Sequence, residues 1–426
     1  MERKTVNTFT KKSISVPGNF DIVTNQDSVW QSVLVACDIV ANRYGFTRVE
    51  LPIVEDPLLY NAVYGTEDVR VNSLITTEVE GRAVAIRSGL LPSVLRLLSG
   101  MKPVESELTK WTFSGPGVRA GVKQVVTDYE FGLEVWGAFN HLTEAQVIGA
   151  VWQLFSMLGL SDVLFEINIR GNTASQEQYA GVLKEFLKSK RYELCDACAD
   201  NISDNPIEVL RCTKIECQSV LGEAPTVLDY LDEVSRKHFT NLLEALEELQ
   251  IPYQLSPLLV GMEGASGTIV SLKLPMAGRA TVVAQAEGHT GLLQRLGGKP
   301  IHSFGLRVSL LKIHEALVER ALAPDFRALR SPEVYLVPLG ELAAKRSLRL
   351  FRDLTEAGVT VFDYFGYAGV KNQLKAAGEA SSPIALIMGQ KEAVDEVVIL
   401  RDVKSGMQEA FSYDKIVIEV KKRLGR

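Results

Sequence analysis

Asn205–Asp232 reads NPIEVLRCTKIECQSVLGEAPTVLDYLD, and its neighbours are best understood from it outward. It carries Cys212-x4-Cys217, and Cys195-x2-Cys198 lies upstream with 13 residues between the pairs. Two thiol pairs at this spacing suit a tetrahedral four-cysteine zinc (Zn) site, which would tie together a small segment whose own core is thin. The alternative is four reduced cysteines in a segment that folds without metal. Leu228–Leu249 continues as an apolar helical period with charges outward, and residues 176–250 are helix-rich as a whole.

The flanking sequence alternates between strand and helix patterns. Val29, Val33, Ala36, Cys37, Val40 and Ala41 share one helical face that ends at Tyr44-Gly45, which makes Cys37 a core residue. RVELPIVED (48–56) predicts a strand ending near Pro52, and VAIRSGLLPSVLRLLSG a strand passing into a helix. KQVVTDYEFGLEVWG and DVLFEINIRG predict strands, and LTEAQVIGAVWQLFSMLG a helix capped by Thr143 and closed by Gly159. GTIVSLKLP and RATVVAQAEG form a hairpin-like pair, and HSFGLRVSLLKIHEALVER starts as a strand and becomes a helix. Strands and helices without βαβ regularity imply an α+β core on an antiparallel sheet. The last hundred residues differ: EVYLVPLG, VTVFDYF, PIALIMG and EVVILRDV as strands, with helices between and after them, imply a compact α/β domain. Its boundary falls in LAPDFRALRSPE, where two prolines interrupt the helical pattern. Residues 1–25, broken by Pro17-Gly18, predict an irregular lead-in.

Bulk properties exclude several classes. With 46 Lys+Arg against 52 Asp+Glu, the net charge of −6 is not that of a non-specific nucleic-acid binder. A structured RNA partner would need local basic patches. No apolar run approaches the ~20 residues that span a bilayer, so no membrane association is expected. Five cysteines in 426 residues give no disulfide scaffold, which points to a reducing cytoplasm.

The order of short motifs resembles the histidyl-tRNA synthetase family of class II aminoacyl-tRNA synthetases across nearly the whole chain. NPIEVL, the Ala-Pro at 224–225 and DYLD (229–232) are similar to the family's insertion domain. YGFTRVELPIVED resembles its first class-defining motif, whose proline (Pro52 here) sits at the dimer interface, and FGLEVWG the strand closing its second. YLVPLG, KNQLKAA, ALIMGQKE and VVILRDVKSGMQE resemble its anticodon-binding domain. The resemblance implies a synthetase-like core over 1–178 and 238–325, an insertion over 179–237, and an anticodon-binding-like domain over 326–426. It also implies a dimer, either with itself or with a synthetase-like subunit.

Position by position, the resemblance loses its chemistry. Where the family's Arg-Pro-Glu-Gly-Thr turn holds the amino acid's ammonium group, this chain has Arg87-Ser88-Gly89-Leu90-Leu91. The arginine for the α-phosphate, ahead of a mobile loop, falls near Pro116, with Arg119 close by. The family's Arg-Gly-Leu-Asp-Tyr-Tyr-Thr run corresponds to Gly261–Gly267, which puts Gly261 in place of the catalytic arginine and Ala265 and Ser266 in place of the tyrosines. Its glycine-rich turn becomes Gln285–Thr290, and the adenine-stacking arginine aligns with Leu310, three residues after Arg307. Cationic donors supply most of the stabilisation when negative charge gathers on the α-phosphate, and each is worth roughly 10²–10³ in rate. The expectation is a pseudoenzyme that acts by binding tRNA or a synthetase or other enzyme partner.

The residues left to line the altered cleft are Arg87, Arg119, Glu263, His289 and Arg307. Among the scattered histidines, His289 is the one near the ligand turn, although a lone histidine is more often a surface or loop residue. Lys371, Gln373, Lys375 and Arg401 are the RNA-contact candidates in the last domain, with Tyr364, Phe365 and Tyr367 as available stacking aromatics. The main rival is an active histidine–tRNA ligase using ATP, with Arg87, Arg119 and Arg307 as substitute cations or with cations supplied by a partner. A regulatory subunit similar to that of ATP phosphoribosyltransferase ranks below it, because that family looks truncated before the last domain. The glycine-rich GVRAG and GMEGASG lack a phosphate-loop lysine and imply no nucleotide site of their own.

Overall fold

The structure, a computed structural model, describes residues 28–66, 68–101, 107–138, 140–299, 301–322, 324, 332–363, 369–379 and 382–426. The expected lead-in at 1–25, most of the boundary segment LAPDFRALRSPE, and Tyr364, Phe365 and Tyr367 lie outside the described residues.

An eight-stranded sheet carries the first three quarters of the chain. Its order is Thr47–Arg48, Leu108–Ala120, Val125–Gly137, Ser303–Ser309, Arg279–Gly288, Ser266–Met276, Leu164–Ile169, Gln254–Leu255. All pairings are antiparallel except the two outermost, so the α+β expectation holds. The alternating run VVTDYEFGLEVWG produces one arm of a 13-residue ribbon whose register continues to Ala120–Val125. A three-stranded sheet, Val54–Glu55, Arg82–Ile86 and Ile75–Val79, flanks this core. The last domain orders its strands Val361–Asp363, Val334–Pro338, Ile384–Met388, Val397–Asp402, Gln408–Ser412, the first three parallel.

Helix His141–Met157 is the hub. Nearly every side chain along it is buried, because helices Ser28–Arg43, Glu233–Glu248 and Glu341–Glu356 pack around it. Its cap is Asn140, whose side chain accepts from Leu142 N and Thr143 N, so Thr143 lies inside the first turn and does not cap it. RVELPIVED is not one strand. It gives two-residue strands at Thr47–Arg48 and Val54–Glu55, which join different sheets on either side of Pro52, a residue with no N–H to give a ladder. FSGPGVRAG is also unlike its expectation. The strand runs through it to Ala120, and only Gly121–Gln124 separates the two arms. No helix among the described residues is long and apolar enough to cross a membrane.

A buried ion pair joins the core to the last domain. Lys110 Nζ lies 3.6 Å from Asp363 Oδ1 with both side chains at most 9% exposed, and donates to Gln146 Oε1 at 2.6 Å. Gln146 in turn donates to Asp363 Oδ2. Tyr44 packs against Phe351 beside this network, with tilted rings 4.5 Å apart between centroids. Removing one ion strands its partner without water. Lys110→Met or Asp363→Ala should each cost about 3–5 kcal/mol in denaturant unfolding, and the double variant Lys110→Met/Asp363→Leu should cost less than the sum.

Candidate functional site

The cleft is built on the face of the ribbon where strand alternation places Glu130, Gly132 and Glu134 together. Strand Ser303–Ser309 pairs with it and puts Arg307 opposite Gly132 on one side and opposite Gln285 on the other. A chain of buried charge crosses these strands. Glu134 Oε1 lies 3.0 Å from His289 Nδ1, Arg307 lies 3.3 Å from His289 Nε2, and Arg307 donates to Glu287 Oε1 at 3.1 Å. Arginine can only donate, so His289 Nε2 accepts and its Nδ1–H faces Glu134. Burial alone would raise the Glu287 carboxyl, but the Arg307 guanidinium, helped by the Met262 N–H, outweighs it and holds it below the ordinary range. The second oxygen of Glu287 accepts from Met262 N at 2.9 Å, fixing the Gly261–Met262 backbone.

Above this floor opens a cleft of about 160 Å³. Its cations are mostly committed. Arg307 is held as described, Lys312 donates to Val282 O at 2.8 Å, and Arg70 is clamped by Asp68 at 2.6 Å while lying over the Tyr64 ring. Asp128 and Glu130 add two carboxylates to the lining. Burial raises the Glu130 carboxyl, which accepts from Leu90 N at 2.7 Å. Arg119 lines the cleft, and its guanidinium makes no ion pair or hydrogen bond among the described residues.

The structure thus sorts the expected cleft residues. Arg119 and Arg307 reach the cavity. Arg87 does not. It is 4% exposed, and its guanidinium donates to the carbonyls of Leu51, Pro52 and Pro116, a framework role that leaves nothing for a ligand. Glu263 sits on an exposed turn paired with Arg295 at 2.7 Å. His289 is no surface residue; it is wholly buried between Glu134 and Arg307. The segment from Gln285 to Gly288 belongs to a strand and forms no turn, and Leu310 is buried at the start of helix Leu310–Glu319. At Gly261 a Cβ would meet Glu287 Oε2 at 2.8 Å, Ile269 at 3.1 Å and Ala265 at 3.2 Å. A Cβ at Gly89 would meet both Glu130 carboxylate oxygens at 3.4 Å. Sequence reading missed Glu130, Glu134, Glu287 and Arg70. The i, i+2, i+4 spacing of Glu130, Gly132 and Glu134 in a strand was the available signal.

In the last domain Lys371 and Lys375 are exposed on helix Val370–Glu379. Gln373 is buried and donates to Pro338 O at 3.0 Å, so it supports the fold and is withdrawn from the RNA-facing set. Arg401 is half-buried in strand Val397–Asp402. A cavity of about 760 Å³ lies between helices His141–Met157 and Glu233–Glu248 and the Pro338–Glu341 loop. His238 Nε2 meets Glu144 Oε2 there at 3.1 Å. Cys195, Cys198, Cys212 and Cys217 gather as free thiols with their sulfurs within 4.8 Å of one another.

Fold and site together define a class II aminoacyl-tRNA synthetase architecture with an appended anticodon-binding domain; residues 333–423 match the anticodon binding domain family. Over nearly its whole length the chain is similar to histidine–tRNA ligases. It is 27% identical over 420 residues to the histidine–tRNA ligase of Dehalococcoides mccartyi, covering 96% of this chain and 99% of that one. It is 28% identical over 418 residues to that of Halothermothrix orenii, covering 95% and 98%. Apo S. aureus histidyl-tRNA synthetase shares the fold at TM-score 0.59 and 21% identity, over 96% of this chain and 100% of that one. The enzyme from Nostoc sp. PCC 7120 does so at 0.52 and 15%, over 97% and 100%.

Because the Glu287 carboxyl is held below its ordinary value near 4.5, it stabilises the folded chain above that value, and the contribution is lost as pH falls through the folded pKa. Glu287→Gln should therefore flatten the acid limb of a Tm-against-pH curve measured from about pH 3 to 7. Arg307→Met, which strands Glu287, should cost about 3–5 kcal/mol at neutral pH.

Proposed function

We propose that this chain is a histidyl-tRNA synthetase-like protein that has given up amino-acid activation and acts by binding tRNA. The observation that carries this reading is at Gly261. The position aligned with the family's catalytic arginine is filled from outside by Glu287, so the loss is built into the packing. At the other positions aligned with the family's cations, Pro116 lies within a strand and Leu310 within the core, while Arg307 is neutralised by Glu287. A nucleotide's phosphates would meet Asp128 and Glu130 across from a single uncommitted guanidinium among the described residues, that of Arg119. Two or three lost donors, even with non-additivity, take about 10⁵ or more from the rate.

The tRNA reading draws on the anticodon-binding match and on Lys371 and Lys375, which present two cations one helical turn apart. A class II-type dimer fits the exposed apolar side chains around Pro52: Ile53, Val54 and Leu58 are each at least half exposed. A second copy or a synthetase subunit would cover them.

One observation favours the rival reading, an active ligase with a relocated cation: Arg119 is uncommitted and lines the cleft. Histidine- and ATP-dependent pyrophosphate exchange separates the two. Exchange at background level is expected, and exchange at ordinary synthetase rates by the chain alone, lost in Arg119→Ala, would establish the ligase. Gly261→Arg should not restore exchange and should lower stability, since its side chain must displace the Glu287 carboxylate.

Filter binding with total tRNA should show saturable affinity that falls several-fold in Lys371→Ala/Lys375→Ala, with a shallower salt slope. Equal affinity in the double variant would remove these residues from the interface. Ile53→Asp should shift the chain from dimer to monomer in light scattering, and an unchanged mass would place the dimer contact elsewhere.

A further inference from the structure

The segment Arg191–Leu221 is made of pieces too short to stand alone. Helices Asp196–Asn201, Pro206–Val209 and Ile215–Leu221 have 6, 4 and 7 residues, below the length at which helices persist without tertiary support. What these pieces share is sulfur. Cys195 sits at the N-terminus of the first helix and Cys198 within it, Cys212 follows the second, and Cys217 lies in the third. All four sulfurs converge within 4.8 Å, none is in a disulfide, and Cys217 is fully buried.

We propose that Cys195, Cys198, Cys212 and Cys217 form a structural tetrathiolate zinc site that folds this segment. In such a site metal–sulfur bonds of about 2.3 Å put the sulfurs roughly 3.8 Å apart, so the present cluster needs only a small contraction to close. The backbone N–H of Cys195 already donates to Cys217 Sγ at 3.2 Å, the kind of contact that orients a ligating thiolate and spreads its charge. Four protein ligands leave no open position, which makes the site structural and not hydrolytic. Binding would displace the thiol protons, leaving each sulfur as thiolate on the metal.

The site also reaches the altered cleft. Arg211, next to Cys212, donates to Gly261 O at 2.6 Å, and Arg170 donates to Met262 O at 2.6 Å. The metal would therefore set the position of Arg211 and, through it, the loop that replaces the family's catalytic run. The inference does not depend on whether the cleft is catalytic.

The test is metal analysis of the full-length chain purified under reducing conditions, followed by cobalt substitution. About one zinc per chain is expected, and the cobalt form should show thiolate-to-metal charge-transfer and tetrahedral d–d bands. Cys198→Ser and Cys212→Ser should drop metal content to near zero, while Cys37→Ala, outside the cluster, should keep it. If the serine variants fail to fold, the wild-type cobalt spectrum still decides. Metal-free protein with four titratable thiols and no cobalt bands would overturn the proposal. So would two disulfides in the reduced preparation, or iron in place of zinc.

Discussion

The Glu134–His289–Arg307–Glu287 chain is the constraint around which the rest of the cleft is arranged. Four ionisable side chains inside a sheet are tolerable only when each is paired, because an unpaired buried charge costs several kcal/mol. Here the pairing uses Arg307, a cation that lines the cleft and is held by Glu287. It also uses Glu287 to hold the Met262 backbone, which leaves no space for a side chain at Gly261. On the proposed reading, internal neutralisation and loss of the external ligand site are one event.

Much of the fold was legible because the patterns that encode it are local. The alternation in 266–288, the strand-to-helix passage at 303–319 and the strand–helix succession of the last domain follow periods of 2 and 3.6 that need no knowledge of partners. The segment around Pro52 was not legible, since its two-residue strands depend on which sheet each half finds. The site was half legible. Substitutions such as Gly261 and Leu310 are visible by comparison with family motifs, but the fate of a retained residue is not. Arg87 keeps its family identity and is consumed by three carbonyls, two of them 35 and 36 residues away in sequence. His289 finds Glu134 across 155 residues. Gln373 looked like its lysine neighbours and turned inward to Pro338 O.

On the proposed reading, the last domain and the helical segment keep features that the cleft has lost. The anticodon-binding match spans nearly all of the final hundred residues, and Lys110, Gln146 and Asp363 lock that domain to the core through a dry ion pair. On that reading, a lysine-bearing face held against the core by this ion pair suits a binder. Beside the four clustered thiols, Arg211 donates to the Gly261 carbonyl.

The account is tested most directly by titration calorimetry with a non-hydrolysable histidyl-adenylate analogue, which presents both the imidazole and the charged linkage that the family's cleft would grip. The internal pairing of Arg307 predicts no saturable heat up to about 1 mM ligand. Binding with a micromolar Kd, abolished by Arg307→Met or Arg119→Ala, would show that these guanidiniums are free to hold a nucleotide and would contradict it.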